Sequence, residues 1–320
     1  MYNIAIIGAG QLGSRHLQGL AKSTKQFQIY VIDPNEKSLI VAKNRFKEVS
    51  KPTNSKVSYL KNISGVPENI DLAIIATTAN VRREVVERLL EQCHLKYLIL
   101  EKVVFQRSED FNYILKLLID NGIKSWVNCV RRTFPFYKKL KKKSWRKIII
   151  KVEGNNWGLA CNSIHMIDLL VFLTGKTDIK ININKLENII FNSKRNNFKE
   201  IKGTLKIYTN HGDTLELNDQ VKYDGKHKIS ISNSRIKFNI FEGESLVIRD
   251  KSDNKIHEEK ISVPFQSELT GRIVDQILDT GESDLTPYTE CMQYHVPMLD
   301  AFNKHFSRVT GKDVEICPIT

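Results

Sequence analysis

The sequence predicts an α/β protein: an N-terminal doubly wound parallel sheet of Rossmann type over residues 1–130, then an α+β domain over 131–320 with an open, largely antiparallel sheet. Three observations predict it. The short apolar run from Asn3 to Ile7 ends in Gly8-Ala9-Gly10-Gln11-Leu12-Gly13 and passes into a helical pattern. Strand-like and helix-like segments then alternate until about residue 130 and give way to period-two alternation further on. The 320 residues, at ~150 per domain, make two domains.

Each element follows in order. The helix after Gly13 has Leu12, Leu17, Leu20 and Ala21 as its expected buried positions. Phe27 to Ile32 reads as a strand closed by Asp33-Pro34-Asn35. Glu36 to Val49 reads as a helix, Asp71 to Ala76 as a buried strand and Val81 to Cys93 as a helix. Tyr97 to Leu100 is a further strand ending at Glu101-Lys102. Glu109 to Asn121 is helical, and Ser125 to Val130 is again a strand. Such alternation implies right-handed crossovers and a parallel sheet covered on both faces. Leu159 to Leu173 reads as one helix stopped by Gly175. From Ile179 to Val263, alternating pairs such as Leu205 and Ile207 or Ile229 and Ile231 are separated by turns at Asn210-His211-Gly212-Asp213, Asp224-Gly225 and Glu242-Gly243-Glu244. Glu268 to Leu278 and Thr289 to Phe306 return to helix.

Composition excludes several classes. With 41% hydrophobic and 27% charged residues, the chain can bury a core without a metal or disulfide staple. No apolar run approaches the ~18 residues of a membrane span, and the first residues lack the basic leader of a signal peptide. A cytoplasmic protein without a membrane partner is expected. The five cysteines (Cys93, Cys129, Cys161, Cys291, Cys317) include no close pair, which argues for reduced thiols over disulfides or a zinc ribbon. The formal charge is +13, with Lys138, Lys139, Lys141, Lys142, Lys143, Arg146, Lys147 and Lys151 crowded together. That run reads as a solvated junction, or as a face for nucleic acid, an anionic surface or a phosphorylated metabolite. No zinc-finger, basic-zipper or ribonucleoprotein motif accompanies it, so no nucleic-acid partner is assigned.

The glycine motif sits in the context its chemistry needs. Gly8 permits a tight turn, Gly10 lets backbone approach a pyrophosphate, and Gly13 allows close helix–strand packing. The helix N-terminus supplies free N–H groups and positive potential for phosphates. Asp33, 20 residues past Gly13, suits the ribose hydroxyls of NAD and would repel the 2′-phosphate of NADP. Lys102, at the carboxyl end of a strand, can stabilise negative charge on a substrate oxygen, or form an ordinary surface pair with Glu101. Arg131 and Arg132, with Asn128 and Pro135 nearby, suit an anionic or polyhydroxylated substrate, or equally a clamp between the two domains. Cys161, His165, Asp168 and Phe172, spaced four, three and four, share one helix face opposite Ile164, Ile167 and Val171. His165, with an unperturbed pKa near ~6.5, suits the proton transfer that accompanies hydride transfer; the alternative is a helical histidine paired with Asp168. Cys161 and His165 have no third ligand at a telling spacing, so no metal is expected.

Taken together, Gly8-Ala9-Gly10-Gln11-Leu12-Gly13-Ser14-Arg15-His16, Glu101-Lys102, Arg131-Arg132-Thr133-Phe134-Pro135 and His165-Met166-Ile167-Asp168 resemble the Gfo/Idh/MocA oxidoreductases. The resemblance covers essentially the whole chain. It implies a metal-free NAD-dependent enzyme acting on a hydroxyl or carbonyl of a sugar, sugar nucleotide or cyclitol, with Lys102 and His165 as catalytic pair. It also implies a homodimer or homotetramer formed through the open face of the second sheet. Gly8, Gly10, Gln11, Leu12, Gly13, Asp33, Thr77, Glu101 and Lys102 are the expected cofactor contacts. Arg131, Arg132, Asn156, Cys161, Asn162 and His165 are the expected substrate contacts, with Asn128 and Asn155 as further candidates for ordering hydroxyls. The excess positive charge favours an anionic substrate such as a nucleotide-sugar. Two positions depart from the family. Its Glu-Lys-Pro reads Glu101-Lys102-Val103, and because a non-proline cis bond costs about 3–4 kcal/mol, a trans bond is expected. An aspartate the family places four residues before the histidine is Cys161. These departures keep a non-catalytic regulatory member of the fold as an alternative, and a reductase of amino-acid or tetrapyrrole metabolism, which shares the same two-domain outline, is a further one.

Overall fold

The strand β1 (Tyr2–Ile7) is buried from Ile4 to Ile7, as expected of a parallel strand covered on both faces. In the computed structural model, which describes residues 1–49, 55–143, 145, 147–220, 224–251 and 256–320, it is followed by α1 (Gln11–Leu20), β2 (Phe27–Ile32), α2 (Glu36–Val49), β3 (Lys56–Leu60), β4 (Asn69–Ile75), α3 (Ala79–Gln92), β5 (His94–Leu100), α4 (Ser108–Asp120) and β6 (Lys124–Val127). Next come α5 (Pro135–Lys141), β7 (Ile149–Gly154), α6 (Leu159–Thr174), β8 (Ile179–Leu186), β9 (Phe191–Asn192), β10 (Lys199–Glu200), β11 (Gly203–Thr209) and β12 (Thr214–Asp219). The chain ends with β13 (Lys228–Ser232), β14 (Ile236–Phe241), β15 (Leu246–Lys251), β16 (Ile256–Lys260), α7 (Gln266–Thr280), β17 (Thr286–Pro287) and α8 (Tyr288–Thr310).

Two units result. The first comprises residues 1–105, 109–128 and 264–288, and the second 106–108, 129–263 and 289–320. The first therefore takes back a late segment, α7 and β17, that the simple division at residue 130 leaves in the second. Its sheet runs β17-β6-β5-β4-β1-β2-β3, all parallel except β17, which pairs antiparallel with β6. This is the doubly wound order, and its direction reverses between β1 and β4, where such folds bind ligands.

Helix α7 packs along α1, and glycines set the approach. A Cβ on Gly271 would stand 2.5 Å from the Gly19 carbonyl oxygen, and one on Gly19 would stand 2.7 Å from the Thr270 Cβ. This contact corrects the expected burial of α1. Leu17 and Leu20 are buried, whereas Leu12 and Ala21 are only half-buried, and Ser14, His16 and Gln18 are buried in their place. Those polar groups are tolerated because each has partners. Arg45 of α2 donates to Ser14 Oγ at 2.6 Å, and Gln18 donates to the Arg45 carbonyl at 2.9 Å.

The second unit holds an eight-stranded sheet ordered β16-β15-β14-β13-β7-β12-β11-β8, antiparallel except for the β7–β12 pair. Helix α6 packs against β12, and Leu205, Ile207, Leu215, Leu217, Ile150, Val152, Ile229 and Ile231 form the sheet's buried side. The basic run is not a mere junction. Phe136, Tyr137 and Leu140 of α5 are buried, as are Ile148, Ile150 and Val152 around β7, while Lys139, Lys141, Lys142, Lys143, Lys147 and Lys151 face solvent. Arg146 lies outside the described residues. No helix among the described residues is long and apolar enough to cross a membrane.

Candidate functional site

The turn from β1 into α1 is built by its glycines. Gly8 adopts φ +96°, and a Cβ there would stand 2.8 Å from the carbonyl carbon of Ala76 and the nitrogen of Thr77. On Gly13 a Cβ would stand 1.7 Å from the Gly8 carbonyl oxygen. Both glycines are therefore required by the protein's own packing. Gly10 differs, because a Cβ there meets nothing within 4 Å. It caps α1 without any side-chain cap, so the first helical N–H groups are left for an acceptor from outside the helix, the arrangement that binds anions. Above this turn opens a cavity of about 890 Å³, lined by Gly8, Gly10, Asp33, Thr77 and Thr78, by Lys61 to Ser64, and by Val81, Val85 and Arg88 of α3. Its size, its bare helix N-terminus and its acid fit a dinucleotide.

Asp33 is fixed at the edge of this cavity. One carboxylate oxygen accepts the Ala9 N–H at 2.7 Å and the other the Asn35 N–H at 2.8 Å. Lys61 lines the same cavity, with its ammonium 3.0 Å from Glu36. Gln11, Leu12, Glu101 and Lys102 are not among the lining residues. The Gln11 side-chain oxygen accepts from Arg45 at 2.7 Å.

Lys102 follows β5, and the Lys102–Val103 peptide is cis, which corrects the trans expectation. The residue-level preference for trans takes no account of tertiary partners. Here the buried Arg82 guanidinium of α3 donates to the carbonyls of Thr77, Val103 and Val104, and Val103 to Phe105 have no exposed surface. Glu101 points into the protein. His16 Nε2 lies 2.8 Å from Glu101 Oε1, and Asn128 donates to the same oxygen at 2.5 Å. Asn128 also donates to Gln266 at 2.8 Å, and His16 Nδ1 lies 2.9 Å from the Thr270 hydroxyl. Burial alone would raise the Glu101 pKa, but His16, Asn128 and Arg82 outweigh it and hold the carboxyl below its ordinary value. Asn128 thus sits inside this buried group, 3% exposed.

In the second unit, Arg131 and Arg132 lie on a short 3₁₀ turn, Val130–Thr133. Arg131 makes a two-pronged pair with Glu242, at 2.9 and 2.7 Å, and Tyr137 donates to Glu242 at 2.7 Å. Burial would raise the Glu242 pKa; Arg131 more than offsets it, and the carboxyl stays below its ordinary value. Arg132 grips Asp168 at 3.1 and 2.7 Å and reaches Glu290 at 2.8 Å. The Tyr294 hydroxyl donates to Asp168 at 2.6 Å, so this fully buried carboxylate is engaged by both Arg132 and Tyr294.

Helix α6 is buried at every position except Cys161, Asn162, His165, Phe172 and Thr174, which are half-buried. Its open stripe therefore includes His165, with Ile164, Ile167 and Val171 buried opposite. The N-terminus of α6 is wrapped in hydrogen bonds. Glu200 accepts the Ala160 and Cys161 N–H groups at 2.8 and 3.3 Å, and Asp219 accepts those of Asn156 and Gly158 at 2.7 and 3.1 Å. Lys202 donates to the Asn156 side chain at 2.6 Å, and the Asn162 amide donates to the Trp157 carbonyl at 2.6 Å.

Residues 2–129 match the model of the oxidoreductase family GFO_IDH_MocA, described as an NAD-binding Rossmann fold. The match spans the N-terminal part of the first unit and gives it an NAD-binding Rossmann fold. No curated protein matches the sequence. Solved structures share the fold along nearly the whole length. UDP-N-acetylglucosamine 3-dehydrogenase from Acidithiobacillus ferrooxidans is 12% identical with a TM-score of 0.68, over 93% of this chain and 95% of that one. An oxidoreductase from Agrobacterium radiobacter, solved with NAD+, L-tartaric acid and magnesium, is 14% identical with a TM-score of 0.68, over 98% of each chain. The super-repressor mutant of Gal80p from Saccharomyces cerevisiae is 15% identical with a TM-score of 0.70, over 98% and 97%.

Several residues of the two regions had no signal in the sequence. Glu200 lies 40 residues from the helix end it caps, and Glu242 lies 111 residues from Arg131. His16 was visible only as the end of a motif. Cys291, one of the scattered thiols, sits 2.9 Å from His295 Nδ1 in the buried core of the second unit. Burial would raise its pKa; contacts with Cys129 and His295 instead bring it down to about 6.

Proposed function

We propose that this protein is an NAD-dependent oxidoreductase acting on a CH–OH or carbonyl carbon of a sugar or sugar derivative. The reading is carried by the β1–α1 turn, where Gly10 alone leaves an open approach beside a bare helix N-terminus. When bound, the nicotinamide cofactor supplies or accepts the hydride. The α1 N–H groups hold its pyrophosphate, and Asp33 accepts hydrogen bonds from ribose hydroxyls. His165 exchanges the proton of the substrate hydroxyl. Lys102 donates to the same oxygen and stabilises charge developing there.

NAD is preferred over NADP in this reading. Asp33 puts a fixed carboxylate at the cavity, and the lining cations Lys61 and Arg88 are already paired with Glu36 and Glu84. The substrate is recognised chiefly through hydroxyl groups. Arg131 and Arg132, which the sequence offered to an anion, are held by Glu242, Asp168 and Glu290. Self-association is assigned to the outer face of the second sheet, which carries Tyr208 and the Lys206–Glu216 and Lys228–Glu153 pairs; light scattering in solution tests it.

The test is turnover with NAD+ and a panel of sugars and sugar derivatives, read as absorbance of the reduced cofactor. Turnover is expected with at least one neutral sugar, and its loss in His165→Ala and Lys102→Ala. Wild-type rates in His165→Ala would remove the histidine from the chemistry. A second reading, a regulatory protein that binds a nucleotide without turnover, is favoured by Cys161 standing where the family has an acid and by the shared fold of the Gal80p super-repressor. It predicts NAD+ binding by calorimetry with no turnover on any sugar.

A further inference from the structure

Lys202, between β10 and β11, differs from the other lysines of the second unit's sheet. Lys206 pairs with Glu216 at 2.6 Å and Lys228 with Glu153 at 2.8 Å, although both are more exposed. Lys202 is 8% exposed, and among the described residues no carboxylate lies within ion-pair distance of its ammonium. Its partners are neutral. Asn156 Oδ1 accepts from Nζ at 2.6 Å, and the Phe191 ring centroid lies 4.7 Å away. The ammonium carries three hydrogens, and Asn156 takes one of them.

The acids nearest in the fold are turned elsewhere. Asp219 accepts the N–H groups of Asn156 and Gly158, and Glu200 accepts those of Ala160 and Cys161. Lys202 is also held firmly from its own chain. Ile201 before it has no exposed surface, and Gly203 after it adopts φ +102°, where a Cβ would stand 2.6 Å from the Lys185 carbonyl oxygen. Its partner Asn156 is fixed at φ +52° with its N–H on Asp219. A buried charge is costly unless it is paired, so this arrangement positions an ammonium without neutralising it. Arg131 and Arg132 are gripped by Glu242 and Asp168; Lys202 is a cation that the protein leaves unmatched.

We infer that Lys202 is an oxyanion subsite, which receives a carboxylate or phosphate carried by the sugar on the ammonium hydrogens that Asn156 leaves free. Such charge-assisted hydrogen bonds are among the strong ones, and Asn156 stands in the loop that enters α6, the helix whose half-buried stripe carries His165. The inference rests on the reading of this chain as a sugar oxidoreductase and adds the substrate class, an acidic sugar.

The full-length protein is melted with D-glucuronate, glucose-6-phosphate, glucose and inorganic phosphate at matched ionic strength. At least one of the two acidic sugars is expected to raise the wild-type melting temperature, as a ligand of the folded state does, with a smaller effect of glucose and of inorganic phosphate. A rise with glucuronate assigns a carboxylate, and a rise with glucose-6-phosphate a phosphate. In Lys202→Met, calorimetry should show the same acidic sugar binding at least about tenfold more weakly, the loss expected of one hydrogen bond to a charged group. If that variant does not fold by circular dichroism, Lys202→Gln, which keeps a donor for Asn156 without the charge, takes its place. No rise with either acidic sugar, an equal rise with inorganic phosphate alone, or unchanged affinity in the folded variant overturns the inference. Acidic-sugar binding without turnover on any sugar leaves it standing and removes the oxidoreductase reading. Turnover on neutral sugars without acidic-sugar binding does the reverse.

Discussion

A Cβ placed on Gly13 would stand 1.7 Å from the carbonyl oxygen of Gly8. The two glycines are thus one device: the first bends the chain at φ +96°, and the second lets α1 start directly against that bend. Gly13→Ala should therefore abolish NAD+ binding by calorimetry. Gly10→Ala meets no atom of the protein; it should leave the melting temperature unchanged and weaken only the cofactor.

The α1–α7 contact makes a separate prediction about stability. With the Gly271 position 2.5 Å from the Gly19 carbonyl, no side chain fits without moving a helix. Gly271→Val should cost about 1–3 kcal/mol, or more if the helices cannot separate, read as the midpoint shift in urea unfolding.

Arg132 is the main partner of the fully buried Asp168. Burial tends to lower the arginine pKa, but Asp168 and Tyr294 raise it above its ordinary value. Arg132→Ala leaves a buried carboxylate uncompensated and should destabilise the protein by about 3–5 kcal/mol. Arg132→Ala combined with Asp168→Asn should recover part of that loss in the same unfolding assay.

Glu101 predicts the acid limb of stability. Its folded pKa lies below the ordinary value of 4.5, so its contribution is complete above that value. It is lost as pH falls from there through the folded pKa. Melting temperatures of wild type should drop over this window, and Glu101→Gln should flatten that drop. The same slope in both chains would assign the acid limb to other carboxylates.

Much of this was legible because its signals are local. The glycine turn, Asp33 and the helix around His165 each lie within one element and its cap; α6 ends where Gly175 turns left-handed, at φ +72°. What escaped was set by distant contacts. β7 is the strand pairing with both β12 and β13, yet its Ile150 and Val152 flank Lys151 at the end of a lysine run that reads as wet surface. The burial of His16 and Gln18 depends on partners in α2, α7 and the end of β5 that no periodicity in α1 reveals. Both arginines read equally as a substrate fork or a structural clamp, because nothing near them in sequence announces Glu242 or Asp168.

The return of residues 264–288 to the first unit has a consequence for biosynthesis. The nucleotide-binding half cannot be completed as it leaves the ribosome, because the helix that covers Gly19 and supplies Thr270 and Gln266 is made only after the whole second sheet. A fragment ending near residue 130 would emerge with one flank of α1 bare, and a nascent chain must wait for the last fifth of its translation before its first-made lobe can close.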